Sequence, residues 1–110
     1  MKTITLSVPP SVNEMYRHKG HITYKTKKAK DWIKESLKKI RKRKPITGQV
    51  DVSVNFYFKR ERDIDNSLKA LLDVIQEAGV IENDRQVYSL VVTKDFDKEN
   101  PRVEVDVMNN

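Results

Sequence analysis

The sequence predicts an α+β fold in which one small mixed β-sheet of about four strands is combined with two main helices. Several stretches alternate apolar with polar residues, and the clearest of these runs from Val50 to Phe58. Two other stretches repeat apolar residues at spacings of three and four, as helices do. The length of 110 residues suits one domain, so residues 1–110 are predicted to form a single unit.

The first predicted strand lies near the N-terminus, where Ile4, Leu6 and Val8 alternate with polar residues. The pair Pro9-Pro10 ends it, because proline cannot donate to the sheet ladder. Residues 11–24 follow no clean period, and we expect a loop with a short hairpin around 21–24.

A first main helix is predicted from the N-cap candidate Thr26 to about Lys44. Its apolar positions recur at helical spacing: Ala29, Trp32, Ile33, Leu37 and Ile40. Pro45 forbids its continuation. At this spacing Trp32 is expected in the core.

The second half begins with Val50 to Phe58, which is predicted to be the central strand. A second main helix is expected from about Asp65 to Ala78, and Gly79 is its natural stop. Two further strands are predicted over 86–94 and 103–107, separated by a charged loop. The buried stripe of the second helix is expected to consist of Leu68, Leu71, Leu72 and Ile75.

The charge is strongly uneven along the chain. Lys and Arg number 22 against 16 Asp and Glu, a net charge of +6, and 13 of the basic residues lie between Tyr16 and Lys44 with only two acidic ones. This distribution favours a polyanionic partner, most simply nucleic acid. The alternative is a solvated lysine-rich helix. Hydrophobic residues make up 37%, so the core should be thin, and a homodimer would bury apolar surface that a monomer exposes.

The composition excludes several classes. With no cysteine there is no disulfide framework, thiol nucleophile or Cys-type zinc site. No stretch reaches the roughly 20 apolar residues that span a bilayer. The N-terminus alternates apolar with polar residues and does not resemble a signal peptide. We expect a cytoplasmic, soluble protein with no membrane partner.

Three aspartates are the main candidates for chemistry. Asp63 and Asp65 are two residues apart in an extended segment, which places both on one side of the chain, and Asp84 can join them only if the chain folds back after Gly79. Converging carboxylates require a cation, and hard oxygen ligands select Mg²⁺ or Mn²⁺. Each aspartate also has an ordinary structural explanation. Asp65 could cap the helix, Asp63 could form an ion pair with Arg60 or Arg62, and Asp84 could be a turn residue.

The second helix carries a polar face formed by Asn66, Lys69 and Asp73. Lys69 could bind the scissile phosphate or stabilise developing charge. The alternative is an i,i+4 ion pair with Asp73. Arg60 and Arg62 flank the aspartates and are candidate phosphate contacts, and the basic helix could follow a DNA arm.

The sequence resembles the RusA-type Holliday junction resolvases along nearly its whole length. The N-terminal stretch PPSVNEMYR is similar to the family's PPSxNxxYR signature, carried by Pro9, Pro10, Ser11, Asn13, Tyr16 and Arg17. RDIDNSLKALLD is similar to the family's RDxDNxxKxxxD core. After it come an Ala-Gly-Val stretch and an Asn-Asp-x-Gln-Val turn, which also fit the family pattern.

The resemblance implies roles for particular residues. Asp63, Asp65 and Asp84 match the family's catalytic metal-binding aspartates, Lys69 its catalytic lysine, and Asn66 a supporting position. It also implies a homodimer that uses Mg²⁺, with Mn²⁺ as a possible substitute, and nicks opposing strands of a four-way DNA junction symmetrically. Some members have a second acidic residue where this chain has Asn83, which puts a fourth carboxylate in doubt. The family is common in phages and prophages.

The predicted DNA contacts extend beyond the acidic segment. They are Arg17, Lys28, Lys34, Lys38, Arg41, Lys42, Arg60, Arg62 and Asn66. The main alternative function is a non-catalytic basic DNA-binding protein, such as a phage transcriptional regulator. An RNA-binding domain is less favoured, because the strands lack the aromatic pairs that stack on RNA bases.

Overall fold

In a computed structural model, the chain is described over residues 2–40 and 44–109. It forms one domain with a four-stranded mixed sheet, a separate two-stranded sheet and three α-helices among these residues. The elements in chain order are β1 (Lys2–Leu6), α1 (Val12–Met15), β2 (Tyr16–Lys19), β3 (Ile22–Lys25), α2 (Lys27–Lys39), β4 (Val50–Phe58), α3 (Leu68–Glu77), a 3-10 turn (Asp84–Gln86), β5 (Val87–Phe96) and β6 (Arg102–Asn109).

The four-stranded sheet has the order β1-β6-β4-β5. β4 pairs antiparallel with β6 and parallel with β5, so the sheet is mixed and β4 is an inner strand, as predicted. In the parallel pair Val50 lies opposite Val87 and Phe58 opposite Phe96. β4 and β5 therefore start side by side and end side by side, at the two ends of the strands. β5 is the last strand on its side.

The core lies on one face of β4. Val50, Val52, Val54, Phe56 and Phe58 are all buried, while the residues between them are half-buried on the other face. The Phe56 and Phe58 rings stack with centroids 5.1 Å apart. Burying each such ring stabilises the fold by about 1.5–3 kcal/mol. The core fixes the end of β4, where the acidic segment begins.

α2 begins where the sequence predicts, because the Thr26 hydroxyl accepts a hydrogen bond from the Ala29 N–H at 3.1 Å. Trp32 is buried, as predicted, and its Nε1–H donates to the Ser7 carbonyl at 2.9 Å. The helix ends at Lys39, with Ile40 as the C-cap. The predicted end at about Lys44 was therefore too late, because the extended backbone of Ile40 already ends the helix; residues 41–43 lie outside the described part of the chain.

α3 begins at Leu68, three residues later than predicted, and the N-cap position is held by Ser67 instead of Asp65. Residues 64–67 form a turn in which the Leu68 N–H donates to the Asp65 carbonyl at 3.3 Å. The predicted stripe was wrong in part, since Leu68 and Leu72 are only half-buried. The residues of α3 that are fully buried are Ala70, Leu71, Val74 and Ile75. Gly79, at φ 78°, ends the segment in a conformation that favours glycine.

The region from 11 to 24 is more regular than the sequence predicts. It contains α1 and the hairpin of β2 and β3, whose turn includes Gly20 at φ 61°. The predicted hairpin is confirmed but longer, while the single turn of α1 was missed because four residues give no helical period. No helix in the described part of the chain is long and apolar enough to cross a membrane.

Candidate functional site

The two signature motifs meet at the carbonyl group of Pro9. This oxygen accepts hydrogen bonds from the Ser67 hydroxyl at 3.0 Å and from Arg62 Nη2 at 3.3 Å. Arg62 Nη2 also donates to Ser67 Oγ at 2.7 Å, and Ser67 is completely buried. The Val12 N–H donates to the Asn66 carbonyl at 2.9 Å. The N-terminal motif therefore holds the turn that carries the aspartates.

Further contacts fix the chain where it leaves β4. The Arg62 guanidinium lies over the Phe58 ring, 5.2 Å from its centroid, which is within the range of a cation–π contact. Lys94 of β5 donates to the Arg62 carbonyl at 2.9 Å and pairs with Glu61. Because side chain and main chain of Arg62 are both bound, its predicted contact with phosphate has to be made alongside a structural role.

An open cleft of about 720 Å³ lies at this end of the sheet. Its lining includes residues from both motifs and from α2. Its charged and polar lining includes Glu14, Lys28, Arg60, Arg62, Asp63 and Asn66. Five of these six were predicted as site residues from the sequence, and the structure brings them together across the fold.

Glu14 is the residue of the cleft that the sequence analysis missed. Its carboxylate pairs with Lys28 and accepts from the Ser11 N–H and hydroxyl, each at 3.1 Å. The Lys28 hydrogen bond, with those from Ser11, lowers the pKa of Glu14 from 4.5 to about 2. The signal was present as the Ser-x-x-Glu pattern of a capping box. Lys28, predicted to contact DNA, is thus already paired in the cleft.

Asp63 and Asp65 are held by their main chain and not by their side chains. The Asp63 carbonyl accepts from the Asn66 N–H at 3.3 Å, and both aspartates are exposed. Within residues 2–40 and 44–109, neither carboxylate makes a hydrogen bond or ion pair with another side chain. Their oxygen atoms are available to a ligand from solution.

Asp84 lies at the far end of α3. Its N–H donates to Gln76 Oε1 at 3.1 Å, near the C-terminus of the helix, whereas Asp63 and Asp65 precede the N-terminus. Ten helical residues span about 15 Å. Among the described residues of one chain, no three carboxylate or histidine side chains are grouped so as to hold a metal. A complete three-aspartate site therefore does not fit within a single chain.

Lys69 forms the i,i+4 ion pair with Asp73 that was the alternative to a catalytic role. Its Nζ lies 3.4 Å from Asp73 Oδ2, and both side chains are more than half exposed. Such a pair contributes little stability and is easily broken. Lys69 also lines a small depression with Asn66, Val12 and Tyr16, next to the signature turn. It remains accessible to a phosphate that enters from this side.

The other predicted DNA contacts lie on several surfaces. Arg17 Nη1 donates to the Asn13 carbonyl at 2.9 Å, while Lys34 and Lys38 are exposed on α2. Arg41 and Lys42 lie outside the described residues. The basic surface of α2 adjoins the cleft through Lys28.

The fold and the cleft define the class of protein: a small, basic α+β domain with an open cleft that combines carboxylates with cationic side chains. Such a combination suits a protein that acts on a phosphate polymer.

Comparison with known proteins identifies the family. The family model described as Endodeoxyribonuclease RusA matches residues 7–108. A crossover junction endodeoxyribonuclease RusA of Aquifex aeolicus is 34% identical over 98 residues, covering 84% of this chain and 77% of the relative. Proteins of the same name from Enterobacteria phage HK97 and Escherichia coli K12 are 34% and 30% identical, covering 74% and 84% of this chain and 72% and 81% of the relatives. This chain belongs to the RusA endodeoxyribonuclease family, and the predicted resemblance is confirmed.

Proposed function

We propose that this protein is a divalent-metal-dependent endodeoxyribonuclease that resolves four-way DNA junctions by paired symmetric nicks. The relatives are named crossover junction endodeoxyribonucleases, and their similarity covers most of the chain. The single observation that carries the proposal is the cleft in which Asp63 and Asn66 lie with Lys28, Arg60 and Arg62.

Asp63, Asp65 and Asp84 are proposed as metal ligands, and Mg²⁺ suits them because it prefers carboxylate oxygens. When bound, the ion would supply an activated water at neutral pH. Asp63 and Asp65 support this role because their carboxylates are exposed and unpaired among the described residues. Within one chain α3 separates Asp84 from the other two, so Asp84 would join them from a second copy of the chain.

The cationic residues of the cleft are proposed to hold the DNA backbone. Arg60 is exposed on the rim, and Lys69 lies beside the turn that carries the aspartates. Lys69 is proposed to stabilise charge that develops on the phosphate, for which it must leave Asp73. The lysines of α2, with Arg17 and the predicted contacts Arg41 and Lys42, would bind an arm of the junction, so binding should weaken steeply as salt rises.

We further propose that the active form is a homodimer. A four-way junction is close to two-fold symmetric, and a two-fold dimer presents two identical sites to it. Two such sites would produce nicks at symmetric positions, which one site per complex would not.

The test is cleavage of a synthetic four-way junction with a matched linear duplex as the control substrate. With Mg²⁺ or Mn²⁺, denaturing gels should show paired nicks in opposing strands of the junction and little cutting of the duplex. With chelator, binding should persist without nicks. Binding without cutting under every metal condition would contradict the proposal and favour the non-catalytic DNA-binding alternative.

A further inference from the structure

The hairpin of β2 and β3 is uncovered on both faces. Every residue of its two strands is exposed, although an unsupported two-stranded hairpin is only marginally stable in water. Between Tyr16 and Lys25 the chain also carries Arg17, Lys19 and two histidines, and it has no acidic residue. This charge favours a polyanion as the partner of the hairpin and disfavours a second copy of the same basic surface.

The two faces of the hairpin differ in what they adjoin. Tyr16 lies opposite Lys25 and His18 opposite Thr23, so these four residues share one face, while Tyr24 lies on the other. An open groove of about 330 Å³, named here the outer groove, is lined by Val12, Asn13, Tyr16, His18 and Thr23. The face that carries Tyr16 therefore borders the outer groove, and the face that carries Tyr24 does not.

The outer groove joins the candidate site through shared residues. Tyr16 and Val12 line both the outer groove and the depression that contains Lys69. Asn66 in turn lines both that depression and the open cleft. The Val12 N–H donates to the Asn66 carbonyl at 2.9 Å, which fixes the two ends of the depression to each other. One continuous surface therefore runs from the cleft, past Lys69, to the hairpin.

The sizes of the two hollows decide which part of a nucleotide each accepts. The depression beside Lys69 holds about 40 Å³, enough for a few water molecules but not for a nucleobase. The outer groove lies at the lower end of the range for small-ligand sites, which is about 300–1,000 Å³. A strand whose phosphate meets Lys69 would therefore place the neighbouring base in the outer groove.

The walls of the outer groove suit a base. Val12 is 50% exposed and offers an apolar surface, and the Tyr16 ring is 36% exposed. On the hairpin side, His18 Nδ1 and Thr23 Oγ1 form a hydrogen bond at 2.9 Å and add polar atoms. An apolar and aromatic surface with a few polar groups is the usual make-up of a site that binds a flat ligand.

We propose that the outer groove is a nucleobase site in which the Tyr16 ring stacks on a base at the branch point of DNA while Lys69 contacts the neighbouring phosphate. This assignment rests on the proposed function. Stacking on an aromatic ring accepts any base, because every base has a π-face. A base in an intact duplex has to be unpaired and unstacked first, whereas one at a crossover is exposed at lower cost. Tyr16 would therefore favour branched DNA over duplex.

Tyr16→Leu tests the stack through binding to a junction and to a matched duplex, measured by fluorescence anisotropy in chelator. Leucine keeps an apolar side chain without the ring. Junction affinity should fall about tenfold, or about 1.4 kcal/mol, which lies within the range for one base on an aromatic ring. Duplex affinity should hardly change, because no base is exposed there.

Two further variants separate the ring from other effects. Tyr16→Phe should bind the junction like wild type, because the Tyr16 hydroxyl makes no hydrogen bond with the described residues. Tyr24→Leu removes a similarly exposed ring from the opposite face of the same hairpin and is the matched control. Circular dichroism checks that all three variants fold. Equal junction affinities for Tyr16→Leu and Tyr24→Leu, or equal losses on junction and duplex, would overturn the assignment.

Contact with a base is tested directly on the wild-type protein with junctions that carry 5-iodouracil in place of single thymines around the crossover. Ultraviolet light crosslinks this base to an aromatic ring stacked on it, and mass spectrometry identifies the residue. The crosslink should fall on Tyr16 and persist in Tyr16→Phe. Crosslinks only outside the outer groove would overturn the base site. So would a Tyr16→Leu variant that loses a wild-type dimer, since a second copy would then cover the groove.

Failure of the base site and failure of the proposed function give different results. Junction nicking at the wild-type rate by Tyr16→Leu, with no crosslink at Tyr16, would remove the base site and leave the nuclease standing. A Tyr16 crosslink in a protein that nicks no junction under any metal condition would sink the proposed function and support the base site.

Discussion

The charged residues of the cleft and of the adjoining segment from Asp63 to Lys69 fall into two groups that differ in how they are held. Arg62, Glu14 and Lys28 are tied to each other, to main-chain carbonyls or to a buried hydroxyl. Asp63, Asp65 and Lys69 are exposed, and only Lys69 has a side-chain partner in the described residues. The first group stabilises the structure around the cleft, and the second group is free to bind a metal ion or a phosphate. Substitutions in the two groups should therefore separate stability from activity.

The largest expected effect is on cleavage by Asp65→Asn. The amide keeps the size of the side chain but removes a charge that the proposed metal site needs. Junction nicking in Mg²⁺ should fall by at least about 1,000-fold, since removal of even one catalytic hydrogen-bond donor costs about 10²–10³. Thermal stability should hardly change because the exposed Asp65 side chain makes no hydrogen bond or ion pair with the described residues. Nicking at the wild-type rate would place the chemistry elsewhere.

Lys69→Met should lower the cleavage rate by about 100-fold, in keeping with loss of one group that stabilises developing charge. Asp73→Asn is the matched control, because it breaks the same ion pair from the other side. Each variant should lose no more than about 0.5 kcal/mol of stability. Single-turnover nicking rates measure the difference, and equal rates for the two variants would leave Lys69 without a catalytic role.

Arg62→Met should lower the stability of the fold. It removes the hydrogen bonds to Ser67 and Pro9 and the contact with Phe58, and leaves the buried Ser67 hydroxyl with one partner fewer. Urea unfolding should show a loss of about 2 kcal/mol, because hydrogen bonds to charged groups contribute about 1.5–3 kcal/mol. Arg60→Met, at an exposed arginine of the same cleft, should be nearly neutral. Equal losses for both would contradict the structural role of Arg62.

The smallest effect concerns Glu14 and acid. Its folded pKa of about 2 lies below the ordinary 4.5, so its ionised form stabilises the fold above pH 4.5. That contribution is lost as pH falls from 4.5 through about 2. Glu14→Gln should lower the melting temperature slightly at pH 6, and the difference from wild type should vanish near pH 2. A constant difference across this range would rule out the Lys28 pairing as its cause.

The sequence predicted the sheet and the main helices because their patterns are local. Alternation in β4 and helical spacing in α2 reflect which side faces the core, and both were confirmed. The start of α3 was misplaced because Asp65 and Ser67 are both good caps, and the choice is made by contacts of Ser67 with Pro9, 58 residues away. No local pattern records such a contact.

The site was predictable to a similar degree. Residues from both motifs do share one cleft, but Glu14 was missed because residues 11–24 were predicted to form a loop, in which its Ser-x-x-Glu capping pattern was overlooked. The convergence of Asp84 with Asp63 depends on where α3 ends and on how copies of the chain assemble. Neither can be read from spacing along one chain, and the helix keeps the two apart within it.

The most direct test is anomalous diffraction from crystals grown with Mn²⁺ and a non-cleaved junction. We expect a manganese peak about 2.0–2.5 Å from carboxylate oxygens of Asp63 and Asp65, with Asp84 of the partner subunit as the third carboxylate. A peak bound elsewhere, or a full metal site without either Asp63 or Asp65, would contradict it.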